Sequence, residues 1–151
     1  MILTETQSAI RDGVRAFAQD RIRPNSAAYE AAGGYPPDLF SELAGLGLMG
    51  MTAPAFAGGA GTDYVSYALS LMEIAAADGA LSTILSIQNS LIVAGLLKDG
   101  SPEQQARFLP DMLSGRLLGA FALTEADAGS DASAIRTRAV KTEGGYVLDG
   151  A

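Results

Sequence analysis

The residue types that could carry chemistry are concentrated in one short segment near the end of the chain, residues 121–131. The hydroxyl of Thr124 can both donate and accept a hydrogen bond, so it could pair with a carbonyl or nitrogen of a heterocycle. Gly129 and Ser130 offer backbone N–H groups without bulk, and together with the Ser130 hydroxyl they could cradle a pyrophosphate. The segment therefore predicts a site for an anionic organic cofactor.

An ordinary polar turn explains the same residue types. Ser and Asp side chains commonly bond their own backbone in turns, and we expect Asp131 to have such a local capping role. On chemistry alone, the turn is the simpler interpretation, and the order of the residues has to decide between the two.

The composition excludes several other kinds of site. The chain has no His and no Cys, which removes the usual general base, the thiolate nucleophile and nearly every transition-metal site. We predict no metal site, and any redox chemistry must come from an organic cofactor.

Charge and hydropathy bound the class of protein. Seventeen acidic and ten basic residues give a net charge of −7, and the basic residues are scattered, so a nucleic-acid partner is not expected. The chain lacks Cys and starts without a signal-peptide pattern, which predicts a cytoplasmic protein. Two uncharged stretches, residues 44–62 and 79–97, contain glycines or polar residues that argue against a continuous membrane span.

The elements that must position the loop are mainly helical. Thr4 to Gln7 forms a capping box that predicts a helix start, and Pro24 is expected to kink or reorganise that helix before Gly33 ends it. Ser101-Pro102 is the best helix start in the chain. Further helices are predicted after Pro36, from residues 62–63 to 79 and from 81 to 97, with a glycine loop at residues 53–61.

The pattern changes after Gly115. Residues 117–123, 135–141 and 146–148 are short and β-prone, with Glu143-Gly144-Gly145 as a turn between the last two. The sequence thus predicts a mainly α protein: an N-terminal helical bundle over residues 1–116, then the first strands of an incomplete β domain over 117–151. Such a sheet leads us to expect a fragment, or a sheet that another polypeptide completes.

The order of motifs resembles the N-terminal part of an acyl-CoA dehydrogenase, nearest the short-chain, butyryl-CoA type. The resemblance covers nearly the whole chain, and its most specific part is Phe121-Ala122-Leu123-Thr124-Glu125 continued by Ala128-Gly129-Ser130-Asp131-Ala132, which is similar to the flavin signature of the family. The other matching segments are Leu3-Thr4-Glu5, Gly45-Leu46-Gly47-Leu48, Gly58-Gly59-Ala60-Gly61, Asn89-Ser90-Leu91 and Gly100-Ser101-Pro102-Glu103-Gln104.

The resemblance implies FAD as cofactor, an acyl-CoA substrate, an electron-transfer flavoprotein as partner and a homotetramer. It implies that Thr124 bonds the flavin ring and that Ser130 contacts FAD phosphate or the thioester ligand. The FAD-lining residues it implies are Phe121, Ala122, Leu123, Thr124, Gly129 and Ser130. The family usually has Pro-Gly or Pro-Asn where this chain has Ala126-Asp127, so the loop gains a negative charge.

The resemblance also implies an acyl pocket and a missing base. The floor of the pocket would include Thr83, Ile84, Ile87 and Leu91, although ordinary core packing is an equal alternative. Gln88 and Asn89 are expected to satisfy backbone groups inside the bundle. The catalytic glutamate of the family lies beyond Ala151, so no catalytic residue is expected in this chain, and Glu125 is interpreted as structural.

These observations lead to one expectation and two alternatives. We expect an FAD-dependent enzyme that introduces a double bond into short-chain acyl-CoA thioesters, with the 151 residues alone inactive. A related flavoenzyme acting on a carrier-protein thioester is one alternative. A non-enzymatic helical interaction subunit is the other.

Overall fold

The computed structural model describes residues 2–150, which divide into two compact units. The first unit extends to Ala120 and the second begins at Phe121. The expected domain boundary, between residues 116 and 117, lies a few residues earlier. The first unit is helical and the second holds a small sheet, so the predicted mainly α class is confirmed.

The first helix starts as its capping box predicts. Helix α1 spans Glu5–Phe17. The Gln7 backbone N–H donates to the Thr4 hydroxyl at 3.1 Å, and the Thr4 N–H donates to the Gln7 side-chain oxygen at 3.0 Å. Both bonds satisfy N–H groups that a helix start otherwise leaves unpaired.

Pro24 reorganises the following turns, as expected. A π-helical segment, Ala18–Ile22, and a 3₁₀ segment, Arg23–Asn25, precede helix α2, Ser26–Ala32. Proline lacks a backbone N–H and its ring crowds the preceding turn, so the regular ladder cannot continue through it. The run ends at Gly33, whose φ of +70° is the left-handed conformation that glycine tolerates best.

Helix α3, Pro37–Gly45, leads into the glycine loop. The loop folds back on itself, with the Ala60 N–H donating to the Gly50 carbonyl and the Gly61 N–H to the Ala53 carbonyl, each at 2.9 Å. A side chain at Gly59 would overlap the Ala53 carbonyl, so this close approach of backbone to backbone requires glycine.

Two long helical runs follow the loop. Helix α4 is Tyr64–Ala77, capped by the Asp63 carboxylate. The second run joins α5, Gly79–Ile87, through a π-helical segment, Gln88–Val93, to α6, Ala94–Asp99. Helix α7, Pro102–Leu113, starts at the predicted Ser101 capping box.

The run from Gly79 to Asp99 contains the helix predicted from residues 81 to 97. Its 21 residues are long and apolar enough to cross a membrane by length and composition alone. A core helix of a soluble protein has the same properties. Here Gln88 and Asn89 are buried and hydrogen-bonded to other parts of the helical unit, which is the behaviour of a bundle helix.

The core of the helical unit is continuous from α1 to α5. Its main cluster combines residues from the first five helices and from the segment after α3, and a second cluster is formed by Ala53, Val93 and Leu109. The main cluster contains Val14, Ala18, Ile22, Tyr29, Leu39, Phe40, Leu43, Leu48, Met49, Met51, Ile74, Leu81 and Leu85.

The second unit contains one antiparallel hairpin. Strands β1, Arg138–Thr142, and β2, Gly145–Asp149, pair with Val140 opposite Val147, and Gly144 in the turn has φ +85°. The turn prediction is confirmed. The predicted strand at residues 117–123 is wrong, because this segment pairs with no strand among residues 2–150. Its side chains favour a strand, but its backbone has no neighbouring strand to bond.

Candidate functional site

The predicted cofactor loop is built around a tight turn. Glu125 and Ala128 form an isolated antiparallel bridge, in which the Glu125 N–H donates to the Ala128 carbonyl at 2.9 Å and the Ala128 N–H donates back at 3.2 Å. Ala128 is the buried residue of the turn, whereas Gly129 and Ser130 beyond it are exposed. The turn therefore presents its glycine and serine to solvent.

The Glu125 carboxylate holds the turn to the next segment of the chain. Its two oxygens accept from the backbone N–H groups of Arg136, at 2.8 Å, and Thr137, at 3.0 Å. These hydrogen bonds, first that from the Arg136 N–H and then those from Thr137, stabilise the charged carboxylate. They therefore lower the pKa of Glu125. Two backbone hydrogen bonds of this kind are what a structural role for Glu125 requires.

Asp131 closes the loop on its other side. It caps the 3₁₀ turn Ala132–Ala134, and its carboxylate accepts from the Ser133 N–H at 3.0 Å and from the Ser133 hydroxyl. The Ser133 hydroxyl contributes most to lowering the pKa of Asp131. The expected capping role is confirmed, and a charged carboxylate with local partners explains how an acid can adjoin an anion site.

The segment before the turn presents free backbone groups. Within residues 2–150, the backbone of residues 121–124 makes no intramolecular hydrogen bond, and the same holds for the N–H groups of Gly129 and Ser130. Phe121 and Leu123 are exposed by 56% and 43%. The site therefore offers backbone N–H donors both before and after the turn. It also offers the free hydroxyl of Thr124 and an apolar surface.

A groove in the second unit gives these groups a shape. Its volume is about 540 Å³, and one wall is formed by Ala122, Leu123 and Thr124. Ile135 and Leu148 supply further apolar surface to its lining. A flat aromatic ring with polar edges fits such a groove, because apolar walls can cover its faces while Thr124 and the free backbone groups bond its edge. The residues present therefore fit a flavin dinucleotide.

Asp127 carries the charge that distinguishes this loop from the family pattern. Its carboxylate lies 3.3 Å from the Arg136 guanidinium, and both side chains are exposed. Pairs of this kind contribute little stability, since water screens them. The negative charge of Asp127 is nevertheless balanced by Arg136, which lies nine residues later in the chain and is brought near the turn by the fold.

The predicted acyl-pocket residues lie on α5 and on the π-helical segment after it. Thr83 is exposed, Ile87 is half-buried and Leu91 is 44% exposed. Ile84 is different, because it packs against the main core cluster. The Thr83 hydroxyl donates to the Gly79 carbonyl at 3.1 Å. Three of the four side chains thus share an accessible surface, and Ile84 faces inward.

Sequence reasoning did not find the role of Arg136 and Thr137. Both lie more than ten residues from Glu125, at 136 and 137 in the chain, and they use backbone amides that no side-chain pattern reveals. The one sequence signal for the contact is the spacing of a lone acid from a later 3₁₀ turn and strand, and that spacing is not specific.

Comparisons with known proteins agree on the family. A profile described as "Acyl-CoA dehydrogenase, N-terminal domain" matches residues 4–116. An acyl-CoA dehydrogenase of Bacillus subtilis (strain 168) is 41% identical over 150 residues, which are 99% of this chain and 40% of that protein. The chain therefore spans about 40% of the length of this curated relative.

Two solved structures extend the agreement to three dimensions. Glutaryl-CoA dehydrogenase from Mycobacterium smegmatis, in complex with FADH2, matches with a TM-score of 0.91 and 35% identity, covering 98% of this chain and 38% of that one. Butyryl-CoA dehydrogenase from Megasphaera elsdenii matches with a TM-score of 0.87 and 33% identity, and the match covers 99% of this chain and 40% of that one. On its profile match, its sequence relatives and its fold, the chain belongs to the acyl-CoA dehydrogenase family.

Proposed function

We propose that this chain works as the N-terminal part of an FAD-dependent dehydrogenase that forms a double bond between the α and β carbons of short-chain acyl-CoA thioesters. The observation that carries the proposal is the loop at Thr124 to Ser130, whose free donors fit a flavin dinucleotide in a chain of this family. The butyryl-CoA dehydrogenase likeness supports a short acyl chain.

The cofactor is FAD, which supplies hydride acceptance when bound. Phe121, Ala122 and Leu123 line it with backbone groups and apolar surface, and the Thr124 hydroxyl bonds the edge of the ring. Gly129 and Ser130 direct their N–H groups at the pyrophosphate, where small residues let the backbone approach closely. Ser130 also contacts the thioester ligand in this proposal.

Glu125 and Asp131 position the loop without touching the reacting atoms. Each carboxylate is held charged by N–H donors on its own side of the turn. Because these bonds join residues within the second unit, the turn keeps its shape before the cofactor arrives, which lowers the ordering cost of binding. Arg136, paired with Asp127, offsets the charge of that one carboxylate beside the phosphates.

We further propose that no acid in these 151 residues removes the α-proton. Glu125 is engaged by two backbone amides, and Glu73 is paired with the Arg15 guanidinium at 2.6 Å. That pair lowers the pKa of Glu73, which makes it a weaker base still. The 151 residues alone are therefore expected to be inactive.

Substrate, partners and location follow from the family as proposals. Thr83, Ile87 and Leu91 present accessible surface for a short acyl chain, with Ile84 supporting them from the core. We propose an electron-transfer flavoprotein as acceptor, a homotetramer as the assembly and the cytoplasm as the location. Helical and β domains over residues 1–116 and 117–151 remain the proposed division.

The test is a flavin measurement on the protein expressed from its complete gene. The purified protein is expected to absorb near 450 nm and to reduce an acceptor dye with butyryl-CoA. Thr124→Val should weaken FAD binding about tenfold, since a hydrogen bond to the ring is lost. Thr142→Val, which alters an exposed threonine of β1, is the matched control and should leave binding unchanged.

Two outcomes would change the proposal. A colourless protein with no affinity for added FAD would contradict it and favour a helical interaction subunit. A yellow protein that is reduced by a carrier-protein thioester, but not by butyryl-CoA, would replace the substrate while keeping the cofactor.

A further inference from the structure

Two consecutive amide side chains are buried in the middle of the helical unit. Gln88 and Asn89 begin the π-helical segment Gln88–Val93, and they are exposed by only 1% and 2%. A buried amide is tolerated only when its donors and acceptor find partners. Both side chains find them outside their own turn, and they do so in different directions.

Asn89 holds the segment after α3. Its Oδ1 accepts from the Met51 N–H at 2.7 Å, and its Nδ2 donates to the Leu48 carbonyl at 2.8 Å. Nδ2 also donates to the Leu85 carbonyl of its own helix at 2.9 Å. The amide therefore ties α5 to the chain that leads into the glycine loop.

Gln88 holds the segment that leaves the helical unit. Its Nε2 donates to the carbonyls of Met112 and Leu117, both at 3.2 Å, and its Oε1 accepts from the Gly119 N–H at 2.9 Å. One side chain thus bonds the end of α7 and two points of the extended segment after it. Phe121, the first residue of the proposed flavin-lining segment, comes two residues after Gly119.

Close packing reinforces these hydrogen bonds. A side chain at Gly119 would overlap Ile92, which belongs to the same π-helical segment as Gln88. The backbone at residue 119 therefore lies directly against this helix. Because residues 117–123 have no strand partner among residues 2–150, the Gln88 bonds replace a ladder in fixing this part of the chain.

We propose that Gln88 is a positioning residue for the flavin site. By fixing residues 117 and 119, it holds the backbone that leads directly into Phe121, so that fewer residues have to be ordered when the cofactor binds. Consecutive side chains of a helix point about 100° apart, so the two amides reach two different segments. This inference rests on the proposed function.

The residue type is well matched to the task. Holding residues 112, 117 and 119 requires two donors and one acceptor at the end of one side chain, which is what a glutamine amide offers. Methionine has nearly the same length and volume but would leave these groups without their partner. Gln88→Met is therefore the informative substitution.

Asn89 supplies the matched control. It is as deeply buried, is next in the sequence and makes as many hydrogen bonds, but none of them reaches residues 112–119. Gln88→Met and Asn89→Leu should lower the thermal midpoint of the full protein by similar amounts. Only Gln88→Met should alter the flavin.

The experiment measures the FAD dissociation constant and the visible flavin spectrum of the protein expressed from its complete gene. Gln88→Met is expected to raise the dissociation constant about tenfold and to shift the flavin band, while Asn89→Leu changes the constant less than twofold. A second pair covers the case in which Gln88→Met fails to fold. Gly119→Ala should also weaken FAD binding, whereas Gly95→Ala, where a side chain meets open space, should not.

The outcomes separate the two proposals. If the wild-type protein binds FAD but Gln88→Met and Gly119→Ala bind it as tightly as their controls, the positioning role is wrong and the proposed function stands. Equal weakening by Gln88→Met and Asn89→Leu would also overturn it, because general destabilisation would then explain the loss. If the wild-type protein binds no FAD, the proposed function fails first.

Discussion

The two units of this chain keep their shapes by different means. The helical unit contains every buried hydrophobic residue of the described chain except Ala128. In the second unit, both strands are exposed along their whole length. Packing of apolar side chains defines the first unit, whereas hydrogen bonds accepted by a few carboxylates define the loop of the second.

This difference explains why the proposed cofactor site lies in the second unit. A loop shaped by a few hydrogen bonds to carboxylates can leave its remaining backbone donors free for a ligand, while a segment inside a packed core has its donors satisfied by neighbours. Glu125 and Asp131 shape the loop, and Gln88 fixes the chain that leads to it. The comparison predicts that equivalent substitutions should have unequal effects in the two units.

The largest effect should come from truncating the helical core. Leu43 is completely buried in α3, so Leu43→Ala should lower the free energy of unfolding by about 3 kcal/mol through lost transfer energy and a cavity. Val147→Ala, on an exposed strand, should cost less than about 0.5 kcal/mol. Urea denaturation followed by circular dichroism measures both. Similar costs for the two variants would show that packing also stabilises the second unit.

A somewhat smaller effect is expected at Asp78, which caps α5. Its carboxylate accepts from the Leu81 N–H at 2.9 Å, from the Ser26 hydroxyl at 2.7 Å and from the Tyr35 hydroxyl at 2.8 Å. Asp78→Ala should cost about 2 kcal/mol, because three partners lose an acceptor in a nearly buried site. Asp38→Ala, at the start of α3, should cost far less.

The same residue predicts a pH dependence. Burial alone would raise the pKa of Asp78, but the hydrogen bonds from Leu81, Ser26 and Tyr35 lower it below the usual value. Burial and the neighbouring carboxylate raise the pKa of Tyr35 to about 12. A lowered carboxyl pKa stabilises the fold above the unfolded value, about 3.9, and this contribution is lost as the pH falls through the folded value. The stability difference between wild type and Asp78→Asn should therefore shrink below about pH 4, as measured by denaturation from pH 7 to 3. A difference that persists to pH 3 would contradict the prediction.

The smallest global effect should come from the second unit. Glu125→Gln weakens the bonds to the Arg136 and Thr137 amides, because a neutral amide is a poorer acceptor than a carboxylate. Amide hydrogen exchange at residues 136 and 137 should become several-fold faster, while the unfolding midpoint of the helical unit stays the same. Glu143→Gln in the hairpin turn is the control. Unchanged exchange in Glu125→Gln would show that the carboxylate does not hold the turn.

Much of the helical unit could be predicted because its signals are local. Capping boxes at Thr4 and Ser101, Pro24 and the glycine at position 33 each act within one helical turn, so their effects can be inferred without knowing the neighbours. The two π-helical segments were not predicted. They depend on what the helix packs against, which periodicity does not contain.

The β-prone residues 117–123 show the opposite case. Their composition favours a strand, but a strand exists only when another segment supplies the ladder, and within residues 2–150 none does. The helix predicted from residues 81 to 97 is confirmed, but the partners of its buried amides could not be predicted. Gln88 and Asn89 bond backbone groups that are distant in the chain.

The sequence by itself determined the family signature, the mainly helical class and the residue types of the cofactor loop, because each depends on residue identity and short-range order. Only the tertiary structure decided which groups remain free at that loop. Glu125 bonds residues 136 and 137, and Asp127 pairs with residue 136. Gln88 bonds residues between 112 and 119. These partners lie between nine and more than thirty residues away along the chain. Hydrogen bonds of that range form only when the whole chain folds, and no local pattern specifies them.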